Sequence, residues 1–216
     1  MNQQDTGFST MQAMRAGYSN ALAAMQSGTY KGDGDILDFT LWDRFEVDGT
    51  TPTLRHRLFV NGLGSPGGIV GNKTLADTNV SGNVGIPQGQ KLYVRAIKVF
   101  YWAKEIRTPV EIVEFYQMLA ETTINISIPG KDTYGQWALD EIMGIPVSII
   151  DNPAATNYNP PLSTGRHVGI LPLNLPIVLA SVVSFNISVE HHTAPSADLD
   201  DDVVKIGLNG ILERLS

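Results

Sequence analysis

The sequence predicts a mainly β protein: a sandwich of short strands with a helical arm at its N-terminus and one helix inserted between strands. Three observations lead there. From Ile36 onward, apolar and polar residues alternate with a period of two over many short stretches. Those stretches are separated by turn formers, with 21 glycines and 12 prolines in 216 residues. A period of three to four residues is sustained in one stretch near the N-terminus and another after Thr108. Roughly eight to ten strands interrupted by turns favour a sandwich over βαβ units.

The arm, residues 1–31, contains FSTMQAMRAGYSNALAAMQSG. Ser9 is placed to cap a helix, Gln12 holds the capping-box position and Gly28 supplies a stop. Met11, Met14, Tyr18, Leu22 and Met25 fall on one face. A helix of this length is marginal alone in water, so the stripe is expected on a neighbouring subunit or on the chain's own body, the alternative being an unstructured arm. Before Lys31 only Asp5 and Arg15 are charged, so this is not a basic tail that neutralises a genome.

Residues 32–216 form the body, long enough for one substantial core. ILDFTLWDRFEV sets Leu37, Phe39 and Leu41 on one strand face and Asp38, Thr40 and Trp42 on the other. RHRLFV is a short strand ended by NGLGSPGG. KLYVRAIKVFYWA is the strongest strand, with Leu92, Val94, Ala96 and Phe100 facing one way and Tyr93, Arg95, Ile97, Val99 and Tyr101 the other. Apolar side chains on both of its faces predict one face over the core and a second shared with a neighbour. Thr108, Pro109 and Glu111 read as the cap, first position and capping box of a helix whose stripe is Ile112, Val113, Tyr116, Leu119 and Ala120. Ile124, Ile126 and Ile128 restore strand alternation. YGQWALDEIM reads as a short helix, IPVSII as a strand and DNPAATNYNPPLSTG as an irregular connection. Between Ile177 and Glu190 a strand points Val183, Phe185, Ile187 and Val189 inward; Val204, Ile206, Leu208 and Gly210 line a last one, followed by Leu212.

Charged residues are only 17% of the chain, and 15 basic against 22 acidic residues give a net charge of −7. The mean field repels nucleic acid, so no sequence-specific nucleic-acid binding is expected. The absence of cysteine excludes a disulfide framework and thiolate chemistry. No apolar run approaches the ~20 residues of a membrane helix. In GLGSPGGIVGNKT, Asn72 separates Gly71 from Lys73 and breaks the phosphate-loop spacing, so a flexible surface loop is expected, with Asp77 and Asn79 serving as turn caps. His191 and His192 precede Asp198, Asp200, Asp201 and Asp202. Adjacent strand residues face opposite sides, so this reads as a solvated loop rather than a metal site, with a divalent ion bridging subunits as a subsidiary reading. His56 and His167 are isolated in sequence. Neither a G-x-S-x-G elbow nor an H-E-x-x-H motif occurs, and no carboxylate spacing marks an acid–base pair; the expectation is a chain that is not an enzyme and takes no cofactor. Tyr93, Tyr101 and Trp102 read as core or interface residues. Lys98, Lys104 and Arg107 are placed to meet an acidic neighbour such as the Asp200 region.

Two stretches, NKTLADTNVSGNVGIPQGQKLYVRAIKVFY and SFNISVEHHTAPSADLDDDVVKIGLNGILERLS, give the body from about Ile36 to Leu215 a layout that resembles the jelly-roll major capsid proteins of tailless icosahedral viruses. The resemblance implies a single jelly-roll sandwich, since the length fits one roll where many relatives carry two. It implies a structural subunit of the virion capsid that self-assembles into capsomers and an icosahedral shell. Its partners would be copies of itself and other virion proteins, with an internal membrane as a further contact. The subunit-contact candidates are Met11, Met14, Tyr18, Leu22 and Met25 on the arm. On the body they are Tyr93, Tyr101, Trp102 and Tyr116. The alternative is a carbohydrate- or receptor-binding β-sandwich module of a virion spike or fibre. A cupin-like enzyme is a third reading and would need convergent metal ligands.

Overall fold

A computed structural model describes residues 36–80, 86–104, 108–127, 133–143, 166–180 and 185–214. The arm, the IPVSII stretch, the connection after it, Arg107, Ile128 and Val183 lie outside the described residues.

The described chain is mainly β. In order it runs β1 (Ile36–Glu46), β2 (Arg55–Leu58), β3 (Pro66–Gly68), β4 (Gly71–Asn72), β5 (Gln90–Trp102), α1 (Pro109–Ala120), β6 (Thr122–Ser127), β7 (Thr133–Ala138), α2 (Leu139–Met143), β8 (Arg166–Ala180), β9 (Asn186–His191) and β10 (Val203–Arg214). One sheet has the order β1-β10-β5-β8, a second the order β2-β9-β6-β7, and β3 and β4 form a small ribbon. Every pairing is antiparallel and the outer pairs are nested: β1 with β10, β2 with β9, β5 with β8, β6 with β7. The β10–β5 and β9–β6 ladders join these rungs sideways. Successive rungs of the nest therefore alternate between the two sheets.

The alternation in β1 holds as expected, with Leu41 and Phe45 buried on the inner face. The second sheet contributes Ile124, Ile126, Ile187 and Val189, all at most 1% exposed. Each such side chain contributes about 1.5–3 kcal/mol by leaving water. In β5 the expected faces are corrected. Leu92 and Val94 face the core, but so do Ile97, Val99 and Tyr101, because the register slips at Arg95 against both β10 and β8. One extra residue at a bulge exchanges inside for outside along the rest of the strand. Gly210 lies opposite the slip; a Cβ there would stand 1.9 Å from the Tyr93 carbonyl oxygen, so the bulge requires glycine.

Three further expectations change. The helix expected over YGQWALDEIM begins only at Leu139; the residues before it form β7 against β6. The capping box at Thr108 is present, with Thr108 N donating to Glu111 Oε2 at 2.6 Å. The buried stripe of α1, however, is Ile112, Phe115, Met118 and Leu119, while Val113 and Ala120 face outward. Finally, Ile177 belongs to β8, a strand of 15 residues that pairs with β5. Its prolines obscure it in the sequence. They are tolerated because β8 is an edge strand and Pro172 sits at the register slip.

Candidate assembly surface

The connection from β2 toward β5 is anchored by charge. Asp43 occupies an inner-face position of β1, where alternation calls for an apolar residue, and it is fully buried. Lys73 reaches back from the loop and donates to both carboxylate oxygens, at 2.6 and 2.7 Å. The amides of Phe59 and Arg44 donate to the same carboxylate at 2.7 and 3.1 Å. Burial pushes the Asp43 carboxyl up from its ordinary value, and Lys73 with these amides pulls against it. Phe59 takes a left-handed backbone, φ 62°, which its bond to Asp43 helps hold.

A second anchor lies beside the first. Asp77 accepts from the Thr74 amide at 2.7 Å, from the Thr74 hydroxyl at 2.8 Å and from Arg44 at 2.8 Å. Burial alone would raise its pKa, but the Thr74 donors and the Arg44 guanidinium hold it down to about 2. Asn79 accepts from the Trp42 amide at 2.7 Å and donates to the Thr40 carbonyl at 2.8 Å, pinning the loop's far end to β1. Asp77 caps the Thr74 turn as expected, whereas Asn79, expected in the same role, bonds the backbone of β1 instead. The expectation of a flexible loop around Lys73 is corrected, because its cation is buried in an ion pair.

The anchored loop presents apolar side chains to solvent. Val70 is 89% and Leu75 68% exposed, and Val60 and Leu63 are exposed as well. From Phe59 to Ala76 the only charged residue is Lys73, which Asp43 consumes, so this surface carries no free charge. A second charge-free run is β8 from Val168 to Ala180, where Val168 and Ile170 are more than half exposed. They stand beside Phe100 and Lys98 on the outer face of the first sheet. On that face Phe100 stacks with Trp102 at 5.8 Å, and Lys205 lies 4.4 Å over the Trp42 ring. Burial, then repulsion from Arg44, pushes the Lys205 pKa down.

The body's contact candidates are placed unevenly. Trp102 lies on this outer face. Tyr93 is also outward and donates to Glu213 at 2.9 Å. Tyr101 is 1% exposed, packs its ring at a tilt against Phe115, and donates its hydroxyl to buried Asp202, so it serves the core rather than a contact. Tyr116 packs beside Phe115 on α1 and against the core. Met11, Met14, Tyr18, Leu22 and Met25 lie outside the described residues.

The acidic stretch near the C-terminus is only partly the solvated loop expected. Asp198, Asp201 and His192 are exposed, but Asp202 and His191 are buried. Asp200 accepts from the Gly49 amide at 2.8 Å, and Asp202 from the Lys104 amide at 2.8 Å. Lys104 pairs with Asp201 of its own chain. Among the described residues no group of three or more His, Cys, Asp or Glu could hold a metal ion. The sequence reading missed two clusters, Asp43 with Lys73 and His56 with His191. The first left a legible signal, an aspartate on the inner face of β1; the second left none, since 135 positions separate the histidines and only the β2–β9 pairing unites them.

Comparison with protein-family models and with curated proteins finds no match for the chain.

Proposed function

We propose that the chain is a capsid subunit built on a single jelly roll, which self-associates into capsomers and a closed shell. The nested antiparallel pairing supports the jelly-roll reading: a ribbon whose rungs alternate between two sheets is the double Greek-key arrangement. One observation carries the assembly reading over the carbohydrate-binding one. The large hydrophobic side chains exposed among the described residues are all aliphatic, and two groups of them lie on stretches that carry no free charge. Sugar recognition calls for exposed flat rings flanked by polar groups. Here Lys205 already covers Trp42. Exposed aliphatic patches without charge suit contact with protein. Two distinct patches on one chain suit a heterologous contact, which closes into rings.

Electron microscopy of the purified chain tests the proposal: symmetric capsomers or closed particles are expected. A strictly monomeric chain across concentration, ionic strength and pH contradicts it. Deleting residues 8–25 is expected to impair particle formation more than folding, and equal assembly with and without them removes the arm's role.

A further inference from the structure

His56 lies on β2 and His191 ends β9, and their rings meet edge to face with centroids 5.5 Å apart. Phe45, on the inner face of β1, stacks on His56 at 4.0 Å and meets His191 at 6.2 Å, so the pair sits where the two sheets converge. His191 is 4% exposed. Hydrogen bonds fix both tautomers. Thr122 Oγ1 has one proton, which it donates to the Met118 carbonyl, and so at 2.7 Å it accepts from His191 Nδ1. His56 donates a hydrogen bond to the Thr53 backbone, and since its Nε2 is without a partner the donor is Nδ1. Each ring keeps Nε2 as a lone pair, buried and without a hydrogen-bond partner.

Protonating either Nε2 would put a donor and a positive charge where no acceptor stands among the described residues. The surrounding charges give little relief. Asp48 attracts His56 from the turn after β1, but each added charge is opposed by a neighbouring histidine, His191 for His56 and His192 for His191. The Arg55–Glu190 bridge beside them, at 3.0 Å, is satisfied within itself. Burial first, and a histidine neighbour second, push both pKa values down to about 4. The strand holding His56 is weakly held: β2 has four residues and lies at the edge of its sheet. It runs directly into Phe59 and the anchored loop.

We propose that the His56–His191 pair is an acid-operated latch: protonating either ring releases β2 from β9 and frees the start of the anchored loop, while the β1-β10-β5 ladders stay closed. The latch stands on its own geometry, and only its effect on assembly rests on the contact reading of the loop.

Amide hydrogen exchange of the full chain between pH 7 and pH 4 tests it. Protection of Arg55–Leu58 is expected to fall about tenfold per pH unit below about pH 6 while β10 keeps its protection. His56→Phe keeps a ring on Phe45 and removes one of the two titrating rings, so it is expected to reduce that fall, with His191 accounting for what is left. Side-chain nitrogen resonances of the unmodified protein are expected to show both rings neutral and protonated on Nδ1 at pH 6. Equal loss of protection in β10, a fall unchanged by His56→Phe, or rings already charged at pH 6 would each overturn the latch. None of these outcomes alters whether the chain forms particles at neutral pH, so the two proposals fail separately.

Discussion

At Asp43 and Lys73 two opposite charges are buried together, and the carboxylate accepts four hydrogen bonds. At His56 and His191 two ionisable rings lie in a similar setting with one nitrogen apiece left over. The first cluster keeps its charges because each has a partner; the second stays neutral because neither does. Burial is common to both, so partner count decides the ionisation state. The consequences differ too. The ion pair ties a loop to β1 through neutral pH, whereas the imidazoles hold β2 only while they remain uncharged.

Breaking the ion pair is expected to have the largest effect. Asp43→Ala leaves the Lys73 ammonium buried without its counterion and should cost about 3–5 kcal/mol in chemical denaturation. Replacing both partners by apolar residues, Asp43→Leu with Lys73→Met, should recover most of that loss. A cost below about 1 kcal/mol for the single variant would mean that the pair is solvated.

Acid acting on the histidine pair should have the next largest effect. With folded-state pKa values near 4 against the ordinary 6.5, the unfolded chain binds more protons in that interval. Stability is therefore complete above pH 6.5 and lost as pH falls toward 4, by at most about 3 kcal/mol per histidine. Asp77 acts in a lower window: its depressed pKa contributes stability above 3.8 that disappears as pH falls through about 2. Urea midpoints across pH separate the windows, and His56→Phe should flatten the upper one.

Thr122→Val weakens the histidine pair at smaller cost. It removes the acceptor of His191 Nδ1 and should destabilise by about 1–2 kcal/mol. As a control, the exposed Arg95–Asp38 bridge, at 3.1 Å, should contribute at most about 0.5 kcal/mol, measured with Asp38→Ala.

Much of the sandwich was legible because its inner faces obey simple alternation. Leu41, Ile124, Ile187, Val204 and Ile206 all lie inside, as their spacing required. Legibility failed where a long-range pairing overrode the local pattern. The slip at Arg95 turned Tyr101 inward, and the edge position of β8 excused two prolines. The anchored loop carried half a signal: its glycines announced turns, but only the position of Asp43 within β1 showed that Lys73 had a buried partner.

The proposed assembly uses the anchored loop, whose surface carries no free charge, as a contact between copies. That contact can be measured by light scattering on the intact chain and on a Val70→Glu, Leu75→Glu variant, at matched concentration and neutral pH. Both side chains are exposed, so the variant should fold and melt like the intact chain. The expected result is a multi-subunit mass for the intact chain and the mass of a single chain for the variant. The same mass for both would exclude the loop as that contact.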